Sequence, residues 1–91
     1  MQQPDIRTAV RIYYECSELD NARIRELFGG IAPSTIVRKK KIVHEEMIKR
    51  DVRTWKVGSV NTEVAYEVWG LDIARMEKAI LRLQKLGIGD G

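Results

Sequence analysis

Apolar residues recur along the chain at helical spacing, and glycine, proline or a capping residue interrupts them at intervals. Asp5 follows Pro4 and stands as an N-cap before Ile6, Ala9, Val10, Tyr13 and Cys16, which predicts a first helix to about Ser17. Cys16 lies on that apolar stripe, so its thiol is expected to be buried as a small hydrophobe. Asp20 or Asn21 can cap a second, short helix with Ile24, Leu27 and Phe28 on its inner face. Gly29-Gly30 ends it, because glycine enters the left-handed conformation of a helix end without a Cβ penalty.

A third helix starts at Pro33 or Ser34, since proline fits a first turn where its missing N–H is not needed. At about 100° per residue, Ile36, Val37, Val43, Met47 and Ile48 share one side of it. Ser34, Thr35, Arg38, Lys39, Ile42, Glu45 and Lys49 share the other. Lys40 falls among the apolar group, where it either snorkels past the core edge or marks a place where the helix leaves the core. Residues 51–59 fit a short strand, an irregular loop or a continuation of the third helix, and are read as a loop with strand character that ends at the Gly58-Ser59 turn.

Asn61 or Thr62 caps a fourth helix with Val64, Ala65, Val68 and Trp69 apolar, and Gly70 breaks it. Asp72 caps a fifth, whose stripe is Ile73, Met76, Ala79, Ile80, Leu83 and Leu86. Gly87 stops this helix, and the GIGDG tail is expected to fray. Leu81 lies off the stripe with no obvious place in a monomer core, so it packs under a loop or, as the lesser alternative, meets a second copy; the Leu-rich helix is the better candidate for dimerisation. The predicted fold class is all-α, a five-helix single domain over residues 1–91.

Composition narrows the function. Hydrophobic residues make up 44% and charged residues 32%, a globular balance rather than a disordered one. No apolar run approaches the roughly 18 residues that span a bilayer, and the N-terminus lacks an apolar signal core, so a cytoplasmic protein without membrane contact is expected. One cysteine allows no internal disulfide, and one histidine with it cannot build a Cys/His metal site. His44, bordering the apolar side of the third helix, reads as a packed or partly exposed side chain.

The net charge of +3 is modest, but its placement is uneven. Ser34 to Lys56 holds eight cations against three anions, a local +5, whereas Asn61 to Gly91 holds four cations against five anions. A clustered basic stretch is the footprint of a nucleic-acid partner.

The pair NARIRELF and PSTIVRKKKIVHEEMIKR, joined by GGIA, resembles the helix-turn-helix of small bacterial and phage DNA-binding proteins. Phe28-Gly29 matches the end of the first helix, Ile31 the apolar residue that opens the turn, and Ser34-Thr35 with Ile36 the start of a recognition helix. The match covers residues 21–50 or so. It departs from the pattern in an extra turn residue, Gly30, and in Arg25 where alanine is common. Residues 61–88 form a second glycine-broken pair that looks like part of a winged-helix regulator and is not strongly basic.

The resemblance implies double-stranded DNA as partner, with Ser34, Thr35 and Arg38 near base edges, and a phage or prophage regulator or packaging recognition subunit as role. Lys39, Lys41, Arg50, Arg53 and Lys56 are the candidate phosphate contacts. A homo-oligomer is expected, with no cofactor. Catalysis is not expected: the chain has no phosphate-cradling Gly-rich loop and no dinucleotide fingerprint, and the adjacent Glu45 and Glu46 diverge on a helix. Tyr13, Tyr14, Tyr66, Trp55 and Trp69 read mostly as core or core-edge residues, and for Trp55, flanked by Arg53 and Lys56, the lesser alternative is stacking on a base or lying against a nucleic-acid backbone. The rival class is a non-catalytic protein–protein adaptor working through the C-terminal helix, and a third possibility is RNA recognised by shape and charge.

Overall fold

The computed structural model describes residues 4–86. The expected stop at Gly87 and the fraying of the GIGDG tail lie outside the described residues. Helices α1 (Ile6–Glu15), α2 (Asn21–Phe28), α3 (Pro33–Lys49), α4 (Thr62–Val68) and α5 (Ile73–Lys85) carry most of the chain. Strands β1 (Glu18–Leu19) and β2 (Val60–Asn61) pair antiparallel, with Leu19 opposite Val60 and Glu18 opposite Asn61. The fold is therefore mainly helical rather than strictly all-α. Two residues per strand are too few to show a period of two, so nothing in the pattern of apolar positions announces them.

Four helices start on a side-chain cap. Asp5, Asp20, Asn61 and Asp72 each accept the backbone N–H three residues on, from Thr8, Arg23, Val64 and Arg75. The fifth, α3, has Ala32 at its N-cap, no capping side chain and Pro33 in its first turn. Three helices end in the same reversal. After α2 and α4 the left-handed residue is Gly29 and Gly70. After α3 it is Asp51, with φ of 56°. There the Asp51 N–H donates to the Ile48 carbonyl and the Val52 N–H to that of Met47, so the last turn closes without a glycine.

The core lies where α1, α2, α3 and α4 meet the short sheet, around Ala9, Ile12, Leu19, Ile24, Leu27, Ile36, Val43, Val60 and Ala65. Tyr66 is also buried, and its hydroxyl donates to the Ala9 carbonyl at 2.7 Å, tying α4 to α1. The Thr62 hydroxyl donates to the Cys16 carbonyl at 2.7 Å and seals the sheet against the end of α1. Cys16 itself is only half-buried, because α1 has already ended at Glu15 and the residue turns extended. Ile12, absent from the predicted stripe, is fully enclosed. Helix α5 packs on α1, where the Tyr14 hydroxyl donates to Glu77 at 3.0 Å, and none of its residues is fully buried. No helix among the described residues is long and apolar enough to cross a membrane.

Candidate nucleic-acid interface

The rotation of α3 about its axis decides which residues an outside partner can meet. Its buried residues are Ile36, Lys39, Val43 and Met47. Opposite them, at about 100° per residue, stand Ser34, Arg38, Lys41, Glu45 and Lys49, all exposed. Val37, Ile42 and Ile48 flank this face and are exposed too, Val37 to 64% and Ile48 to 79%. Val37 and Ile48, expected in the core, are thus surface residues. The sequence offers more apolar positions on α3 than the neighbouring elements cover, and the covered arc is narrow.

Lys39 requires the opposite correction. It is expected at the border of the polar face, yet its side chain is 9% exposed and its ammonium lies 4.1 Å from the centre of the Phe28 ring and 5.8 Å from that of Trp69. Burial pushes its pKa below the ordinary lysine value. Its aliphatic stem fills a core position while two aromatic faces receive the charge. Lys40 is half-buried and reaches across to α2, donating to Asn21 Oδ1 at 2.9 Å.

The other expected cations divide into two groups. Arg50 caps α3 and is held between Glu46 and Glu67, at 2.9 Å from each. Lys56 is exposed and pairs with Asp20 at 3.4 Å. Asp20 is in turn held below the usual carboxylate range, first by the Arg23 backbone N–H and then by Lys56. By contrast Arg38, Lys41, Lys49 and Arg53 are exposed and make no ion pair among the described residues. Thr35 is half-buried at the edge of the face, and its N–H is already bonded to the Ala32 carbonyl at 3.0 Å. Thus Ser34, Arg38 and Lys41 share one surface, Arg53 and Lys56 belong to the following loop, and Lys39 and Arg50 are engaged elsewhere.

Residues 50–59 form that loop, with no strand before Val60. Trp55 at its tip is 98% exposed and Val57 fully so, which corrects the expectation that Trp55 belongs to the core or its edge. Tyr14 is also an outer residue, whereas Tyr66 is core and Tyr13 and Trp69 are half-buried. Two shallow depressions lie side by side along α3, and one of them reaches the loop. One is lined by Val37, Lys41, His44 and Ile48, the other by Asp20, Lys56, Val57 and Gly58, and both include Asn21 and Lys40. Among the described residues, no group of three or more His, Cys, Asp or Glu side chains is placed to hold a metal ion.

No protein-family model matches this chain, and no curated protein or solved structure shows significant similarity to it.

Proposed function

We propose that the protein binds double-stranded DNA, with α2 and α3 acting as a helix-turn-helix and the outward face of α3 entering the major groove. The observation that carries this reading is the clustering of exposed, unpaired cations on one face of α3. Arg11, Arg23, Arg50 and Lys56 are matched to carboxylates, while Arg38, Lys41 and Lys49 project from one helix face without a carboxylate partner among the described residues. Ser34 and the exposed Val37 stand near the start of the same face. Arg38 offers a bidentate donor for guanine, and Val37 an apolar contact for a thymine methyl. Lys41, Lys49 and Arg53 supply phosphate contacts. The positive end of α3, which no side chain caps, adds to the same field.

The role that fits a small domain of this kind is a phage or prophage regulator, or the DNA-recognition subunit of a packaging machine. Either role uses several copies, and α5 is the surface for a second copy. Its apolar stripe packs on α1, and Leu81, beside that stripe, projects into solvent. The same helix is where a protein–protein adaptor would act. DNA is favoured because Arg38, Lys41 and Lys49 cluster with Ser34 on one helix face, which an adaptor working through α5 would leave to solvent or to an acidic protein.

Fluorescence anisotropy of a labelled random-sequence duplex, titrated at several salt concentrations, tests the proposal. With about four phosphate contacts per chain, the logarithm of the affinity should fall with that of salt at a slope of roughly −3 to −4. Arg38→Ala with Lys41→Ala should weaken binding and flatten the slope. Absence of binding at low salt overturns the reading.

A further inference from the structure

The loop after α3 is built as a fixed projection. The Glu18 carboxylate accepts the backbone N–H groups of both Trp55 and Lys56, the latter at 3.0 Å. The Ser59 N–H donates to the Lys56 carbonyl at 3.2 Å, and the Thr54 hydroxyl lies 3.3 Å from that same oxygen. Gly58 turns the chain at φ of 86°, a conformation costly for any other residue. The β1–β2 pair closes the base of the projection, and Glu18 belongs to β1. The six residues 54–59 are thereby held in one shape, with Trp55 98% exposed and Val57 fully exposed.

A single exposed apolar side chain is ordinary. Two of them, one a tryptophan, at the tip of an immobilised turn are a preorganised contact, because the entropy of ordering the loop is already spent. The setting specifies the partner. Arg53 and Lys56 bracket Trp55 in sequence, and Asn21 and Lys40 connect Val57 to the Lys41 side of α3 across the two shared depressions. An apolar tip flanked in sequence by Arg53 and Lys56, with Lys40 lining the same depression as Val57, fits a polyanion that also offers flat apolar surfaces between its charges, which describes a nucleic acid.

We infer that the Trp55–Val57 tip is a second contact with duplex DNA, entering the minor groove beside the stretch of major groove that α3 occupies. The inference rests on the DNA-binding reading above and adds an apolar contact to its charged one. Lys56 then meets a phosphate at the groove edge, exchanging Asp20 for it, and Trp55 and Val57 lie against sugars and base edges.

Two measurements test it. The first uses the unaltered protein: saturating duplex should shift and quench tryptophan emission and shield it from iodide. The change should vanish in Trp55→Phe, which leaves only the half-buried Trp69 to emit. The second uses Trp55→Ala with Val57→Ser, both at positions that touch nothing in the core. Duplex affinity should drop roughly five-fold or more, with the salt slope unchanged because no counterion-releasing group is lost. If the duplex binds and neither the emission nor the affinity of the double variant changes, the tip inference is overturned while the α3 reading stands. If the unaltered protein fails to bind duplex at low salt, both are overturned.

Discussion

The Lys39 ammonium lies 4.1 Å from the centre of the Phe28 ring, on the side of α3 that faces the core. A lysine in the middle of an RKKK run is thus part of the packing between α2, α3 and α4. The Trp69 indole N–H also points to the Lys39 carbonyl at 3.4 Å, and the Phe28 and Trp69 rings meet edge to face at 5.3 Å. Lys39→Ala should remove the stem and the cation–π contact together and cost about 1–2 kcal/mol in urea unfolding. The same substitution should leave the salt slope of duplex binding unchanged, whereas Lys41→Ala should reduce it by about one. An altered slope in Lys39→Ala at unaltered stability would place the ammonium outside.

Asp51 occupies a left-handed position, with φ of 56°, that glycine holds after α2 and α4. Its carboxylate also stands at the negative end of the α3 dipole. Both effects oppose the native conformation. Asp51→Gly should therefore raise stability by about 0.5–1 kcal/mol, read as a higher urea midpoint at constant slope. Asp51→Ala keeps the Cβ strain and removes only the charge, so it should gain less or lose. Equal gains from both would assign the whole effect to the dipole.

These two residues show where sequence reasoning reaches and where it stops. The capped helix starts were legible, because a short polar side chain before an apolar stripe states its own role: Asp5, Asp20, Asn61 and Asp72 all cap as their positions suggest. The glycine-ended helices α2 and α4 were legible for a similar local reason. The rotation of α3 was not, since periodicity gives the angles between residues but not which arc the neighbours cover. Spacing alone groups Val37 and Ile48 with the core residues and sets Lys39 at the border of the polar face, whereas the neighbours leave the first two exposed and enclose the third. The placement of Ser34, Arg38, Glu45 and Lys49 on a solvent face could be read from spacing alone. The loop tip could not, because it depends on Glu18, 37 residues before Trp55 in the chain, reaching two backbone N–H groups.

Acid should loosen the α1–α2 contact. The Glu26 carboxylate is held below the usual range by the Arg11 guanidinium first and by Arg23 second. A carboxylate whose folded pKa is depressed adds stability above its unfolded pKa, roughly 4.3. That stability is lost as pH falls through the lower folded value. The melting temperature should thus be flat from about pH 7 to 5 and decline below about pH 4. Glu26→Gln should start lower at neutral pH and decline less steeply. Because the pair is solvent-exposed, the difference should shrink in high salt. A variant that matches the parent across the whole pH series would mean that the pair contributes nothing to folding.

The role of α5 turns on whether its stripe has a second cover. Ile73 and Met76 lean on the core, but Leu81 is 64% exposed and sits among the stems of Lys78, Arg82 and Lys85. Leu81 buries little within one chain, so Leu81→Asp should change monomer stability by no more than about 0.5 kcal/mol. In an oligomer built on α5, the same change would bury a carboxylate in an apolar seam. Light scattering behind size exclusion should then show the unaltered protein as a dimer or larger, and Leu81→Asp as a monomer at the same concentration. A dimer fits a regulator that reads two half-sites related by symmetry. A larger closed ring fits a packaging subunit, since a heterologous contact that closes generates a ring. If the unaltered protein is monomeric at high concentration, or Leu81→Asp leaves the assembly intact, α5 is not the contact between copies.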